Sequence, residues 1–172
     1  MRISAGDPAF VESPEAMQLR RVVTGHDDQG RAVVQIDETC TNILSRRPLH
    51  SSCVVWSSAE FPVDNAAPGD LAARELSVVG RADSVFRVVE YQPGVAPRKH
   101  RTETLDYAVV MSGEIDMELD GSSVHLRQGD VLVQRGTIHN WINRGTVPCT
   151  IAFVLIAAQT PTRGPDELKA VG

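Results

Sequence analysis

Apolar and polar residues alternate along most of this chain with a period of two, in short runs closed by glycine, proline or Asp-Gly pairs. Residues 114–119 show the pattern cleanly. Ile115, Met117 and Leu119 fall on one side, Glu114, Asp116 and Glu118 on the other, as in a half-buried strand with one wet face. RRVVTG (20–25) and RAVVQIDE (31–38) flank the polar HDDQG and predict a hairpin. SSCVVWSS (51–58) and SVFRVVEYQPG (84–94) predict further strands, and the stretch 106–121 divides into two at Ser112-Gly113. SVHLRQGD, VLVQ (131–134), GTIHNWIN (136–143) and CTIAFVLIA (149–157) continue the series. Residues 1–19 read as an arm ending in a short helical turn around Glu15–Leu19, and 39–50 as irregular. Residues 60–70 read as a long loop, 71–80 as a helical turn or a strand, and the segment after Ala158 as a surface tail. Many short strands with closely spaced turns and no convincing helix predict an all-β sandwich or barrel.

Composition narrows the partners. A chain of 172 residues is one domain's worth and buries a core without disulfide help. The formal net charge of −5 and a pI near 5.5 exclude the basic footprint of a nucleic-acid binder. The basic clusters, Arg20-Arg21, Arg46-Arg47 and Arg98–Arg101, are too short to alter that. Cys40, Cys53 and Cys149 are an odd number at patternless spacing, which predicts reduced thiols packed as small apolar residues. No charged segment followed by an apolar run opens the sequence, so no secretory signal is expected, and a cytoplasmic location is. The longest apolar run, IAFVLIAA (151–158), is far too short to span a bilayer, so no membrane association is expected.

Candidate chemistry gathers in residues 94–143. On an extended strand His100, Thr102, Thr104 and Asp106 point to one side, as do His139, Trp141 and Asn143 on another. An imidazole from each strand and one carboxylate make a 2-His-1-carboxylate donor set, suited to Fe(II) chemistry or to zinc with a bound water. The same residues also suit a metal-free rim, with both imidazoles hydrogen-bonded to backbone. Trp141 fits core packing and ligand contact equally well. His26 falls in a polar turn, His125 alternates to an exposed face, and His50 has no partner nearby in sequence.

The spacing of these residues resembles the two motifs of the cupin superfamily. Five residues separate Gly94 from His100, Thr102 stands at the second histidine position, Asp106 at the glutamate position, and Gly113 follows after six more. Gly129 leads into the second motif, where Gly136, His139 and Asn143 fall in place and Gln134 replaces the usual proline. HRTETLDYAVVMSGEI and QRGTIHNW are also similar to a subgroup of single-domain bacterial and fungal cupins. The resemblance implies a double-stranded β-helix, or jelly-roll barrel, carrying an N-terminal β-hairpin arm. Residues 1–50 would form the arm and hairpin, 51–160 the barrel with its motifs at 84–157, and 161–172 the tail. It further implies one divalent ion (Fe(II), Zn, Mn or Ni) on His100, Asp106 and His139. Thr102, Gln134 and Trp141 would then shape a pocket for a small organic molecule. Thr102 is a poor ligand at neutral pH, so the usual fourth donor is expected to be missing. No residue is assigned a catalytic role. The implied function is a metal-dependent enzyme performing oxygenation, decarboxylation or isomerisation; the alternative is a non-catalytic ligand-binding cupin without metal. A homodimer with the arm near the interface is expected.

Overall fold

The computed structural model describes residues 17–72 and 83–172, and all regular structure among them is strand. The strands are β1 (Arg20–His26), β2 (Ala32–Thr39), β3 (Ile43–Arg47), β4 (His50–Ala59), β5 (Asp83–Tyr91), β6 (Thr104–Ser112) and β7 (Glu114–Glu118). They continue with β8 (Ser123–Arg127), β9 (Val131–Arg135), β10 (Asn140–Ile142), β11 (Cys149–Ala157), β12 (Thr162–Arg163) and β13 (Asp166–Glu167). No helix among the described residues is long and apolar enough to cross a membrane.

The alternation does what it predicted. A six-stranded antiparallel sheet runs in the order β3-β4-β5-β11-β6-β9, and a three-stranded sheet in the order β10-β7-β8. Between them lies one apolar core. The large sheet contributes Val85, Val89, Tyr91, Ala108, Val110, Ile151, Phe153 and Leu155; the small one contributes Ile115, Met117, Leu126 and Trp141. The expected cupin jelly roll is therefore the fold observed. At the β6–β7 turn Gly113 has φ +72°, and a Cβ there would stand 2.4 Å from the Pro148 carbonyl oxygen. Only glycine fits both constraints.

The hairpin β1–β2 forms as expected, as its own two-stranded sheet. The segments flanking it, Met17 and Leu19 before β1 and Cys40 after β2, pack on the outer face of β4–β5–β11 in a second cluster with Cys53, Val55, Val88 and Ala152. All three cysteines are buried and free, which bears out their reading as apolar core.

Residues 39–50 correct the sequence reading. They contain β3, an edge strand paired with β4 at Ile43↔Cys53, Leu44↔Ser52 and Arg47↔His50. ILSRR hides this because an edge strand needs only one core-facing apolar residue, here Ile43, and tolerates charges elsewhere. Most of residues 159–172 are exposed, yet the segment is fastened: Val171 and Arg101 exchange backbone hydrogen bonds of 2.9 and 3.1 Å. The arm before Met17 and the ambiguous stretch 73–82 lie outside the described residues; Met17–Leu19 are not helical.

Candidate functional site

His100 precedes β6 and His139 precedes β10, and an isolated antiparallel bridge joins them. Each residue's N–H donates to the other's carbonyl at 2.9 Å, which sets the rings side by side with centroids 4.3 Å apart. Both Nδ1 atoms sit 3.0 Å from a backbone carbonyl, that of Arg98 for His100 and that of Thr137 for His139. A carbonyl only accepts, so both Nδ1 atoms carry the proton and both Nε2 lone pairs remain unspent. Burial holds the two imidazoles below the ordinary histidine range. His139 is pulled down to about 4, mainly by burial, with the charges of His100 and Arg87 acting the same way against the Thr137 carbonyl. His100 is lowered by burial and by Arg98, Arg87 and Arg47. Gly136, with φ +59° and Pro161 of the tail close above it, makes the turn that brings His139 in.

The remaining residues singled out in the sequence lie around this pair. Gln134 of β9 is buried and its amide is 2.9 Å from His139 Nδ1. The amide nitrogen is the atom set against Nδ1 and Oε1 is buried without a partner; turning the amide over would place the oxygen on the Nδ1 proton. Across the β6–β9 pair Gln134 stands opposite Asp106, whose Oδ1 is also buried and unpartnered. Burial pushes the Asp106 carboxyl up, against smaller effects of the Thr104 hydroxyl and the Arg87 guanidinium. Thr102 accepts a 2.8 Å hydrogen bond from the Thr104 hydroxyl. Trp141 is buried in the core, edge-on to Phe153 at 5.7 Å and to His139 at 6.0 Å. Asn143 is structural, donating to the Tyr91 and Val147 carbonyls.

In kind, two preset imidazoles and a buried carboxylate with a spare oxygen fit a divalent ion. In position, only the imidazole pair is assembled. Among the described residues no three His, Cys, Asp or Glu side chains lie close enough together to hold a metal.

Several neighbours of the pair were not singled out in the sequence. Arg87 follows the inward register of β5 with Val85 and Val89, and its guanidinium lies 6.0 Å from the centroid of the Phe153 ring. His50 packs edge-on to Tyr91 at 5.3 Å, and Tyr91 lies 6.1 Å from Trp141. Arg47 donates to the Ala96 carbonyl and Arg98 to that of Gly172. A charge at an apolar position was the available signal for Arg87. Arg47 and His50 are delivered by β3–β4, the stretch whose pattern is weakest.

The Cupin domain family matches residues 87–156. Phomopsin biosynthesis cluster protein C' of Diaporthe leptostromiformis is 35% identical over 161 residues, which cover 86% of this chain and 83% of that protein. The cupin-domain-containing oxidoreductase fogC of Aspergillus ruber is 34% identical over 146 residues, 79% of this chain and 71% of its own. Oryzines biosynthesis cluster protein J of Aspergillus oryzae is 49% identical over 139 residues, 73% of this chain and 75% of its own. Among solved structures, the Cnp3 cupin domain of Schizosaccharomyces pombe shares the fold with a TM-score of 0.50 at 10% identity, over 80% of this chain and 87% of that one. Barrel, motif spacing and relatives agree, and the chain belongs to the cupin family.

Proposed function

We propose that this cupin is an enzyme acting on a small organic molecule beside His100 and His139, with one divalent metal ion held there. The observation that carries the reading is the pair of imidazoles with both Nδ1 atoms committed to backbone carbonyls and both Nε2 atoms free. Metal-bound histidines are held in this way, because the second nitrogen fixes tautomer and ring orientation. His100 and His139 would hold the ion, and Asp106 would serve as the third donor only by moving toward the pair, since the described residues do not gather three ligands. When bound, the ion (Fe(II), Zn, Mn or Ni) supplies Lewis acidity and, if it is iron, redox chemistry. Relatives named oxidoreductases favour oxygenation over decarboxylation or isomerisation. Gln134 keeps the His139 ring in register, Trp141 and Phe153 exclude water, and the Thr102 hydroxyl orients substrate by hydrogen bonding.

The second reading, a metal-free cupin that binds a small ligand without turning it over, is favoured by one observation: the described residues gather no three-ligand group. Metal analysis of protein purified without a histidine tag decides between the two. The enzyme reading expects about one ion per chain, lost in His100→Ala and in His139→Ala. Metal-free parent protein would favour the second; alanine variants that keep the metal would show that the ion is held away from His100 and His139.

We further propose a reduced, cytoplasmic setting, in keeping with three free buried cysteines. A homodimer is proposed as well. The outer face of β6 and β9 is apolar and uncovered, with Val131 75% and Val133 58% exposed beside Tyr107, Val109 and Met111. The hairpin exposes Val22, Val33 and Val34, and a twofold pairing of hairpin with sheet face would cover both surfaces.

A further inference from the structure

We infer that the ligand of this site is a small organic acid whose carboxylate is taken by Arg87, with Arg47 and Arg98 adding positive charge nearby. The inference deepens the proposed function and rests on its placing of the site at His100 and His139.

Arg87 is an anomaly of the core. It occupies an inward position on β5 between Val85 and Val89, opposite Phe153 of β11, where an apolar residue would pack at no electrostatic cost. Its Nε is buried without a hydrogen-bond partner, and among the described residues no carboxylate lies within ion-pairing distance of the guanidinium. A buried, unpaired donor on a permanent cation is costly, and the Phe153 ring returns only a small part of that cost. A ligand anion supplies what is missing.

The position is right for such a ligand. Arg87 stands over Phe153, Phe153 meets Trp141, Trp141 meets His139, and His139 meets His100, each at ring-contact distance. An acid with its carboxylate on the guanidinium therefore has an aromatic wall along its length and the imidazole pair beyond. Arg47 and Arg98 spend single hydrogen bonds on backbone carbonyls and, among the described residues, have no acidic partner. Both, like Arg87, act on His50 by like charge, so all three cations face the same region. Arg47 is half-buried and Arg98 exposed, and among the described residues Asp106 is the one buried carboxylate. That excess of positive charge attracts an anion, and the fork of Arg87 suits a planar carboxylate. The aromatic wall favours an organic acid over an inorganic oxyanion.

Calorimetric titration with benzoate, with neutral benzamide and with sulfate tests this, alongside NMR of the histidine ring protons. Benzoate should bind, benzamide and sulfate should bind at least tenfold more weakly, and benzoate should shift the His100 and His139 signals. Arg87→Gln should weaken benzoate roughly tenfold or more, and Arg87→Lys, which keeps charge and stem but loses the fork, by less. A native β-type circular dichroism spectrum in either variant shows that the loss is not unfolding. Equal binding of benzamide or sulfate, unchanged affinity in a folded Arg87→Gln, or binding that leaves both histidine signals in place would each overturn the inference. The two readings fail separately. A metal-free, inactive protein that binds benzoate through Arg87 keeps the acid site and loses the enzyme, while an active enzyme indifferent to Arg87→Gln does the reverse.

Discussion

Arg21 of β1 grips Asp70 of the 60–72 loop at two points, Nη1 to Oδ1 at 2.8 Å and Nη2 to Oδ2 at 2.6 Å. The Arg21 side chain is almost wholly buried, and its guanidinium also meets Glu38 of β2 and the Val55 carbonyl of β4. One side chain thus fastens the hairpin to the barrel and to a loop that no sheet holds.

Arg21→Ala should lower unfolding stability by about 1–3 kcal/mol, because it removes a buried side chain and its charged hydrogen bonds, while the partly exposed Asp70 is left to water. Arg21→Met should cost less, since it removes the charge and keeps the apolar stem. Arg21 holds the Asp70 carboxyl below its usual range. That stability is present above the unfolded carboxylate pKa of about 3.9 and is lost as pH falls through the lower folded value. Denaturant melts of the parent and both variants check all three statements; equal midpoints for parent and Arg21→Ala would refute the fastening role.

Two histidines away from the bridge should give opposite pH dependence. Burial, with Arg47 and Arg87, pulls His50 down to about 4, so the unfolded chain takes up its proton first. Stability should fall as pH drops from about 6.5 to about 4, by roughly 1–2 kcal/mol once partial exposure is allowed for. His125 is raised through its 2.7 Å contact with Asp116, so its contribution is present below about pH 6.5 and is lost as pH rises. Melts of His50→Phe and His125→Gln across pH 4–8 should flatten the acid and the neutral arm respectively. A His50→Phe curve parallel to the parent would count against the first assignment.

Thr102 is the main departure from the cupin pattern, and its partly buried hydroxyl is reached by Thr104. Under the metal reading, Thr102→His should add a donor and raise the metal retained after dialysis, while lowering activity by filling a position that substrate needs. Unchanged retention in a folded variant would separate Thr102 from the metal.

The proposed dimer gives a direct test at Val133, which is exposed on the apolar face of β9. Val133→Glu should shift sedimentation at micromolar concentration from dimer to monomer without lowering the β signal. A parent that sediments as a monomer would remove the dimer altogether.

What the sequence determined by itself was whatever depends on local periodicity. Ile115, Met117 and Leu126 face the core because a strand's side chains alternate, and the Gly113 turn needs a residue without a Cβ. His100 and His139 were legible because their spacing from flanking glycines is characteristic of the family. Edge strand β3 was not legible, since burial of Ile43 alone leaves no alternating signature. Nor was the neighbourhood of Arg87, which depends on β5 lying between β4 and β11 and facing Trp141 across the barrel. The grip of Arg21 on Asp70 spans 49 residues and is made by folding alone. Periodicity is a property of one strand, but a site is made where several strands converge, and only the tertiary structure decides which residues meet there.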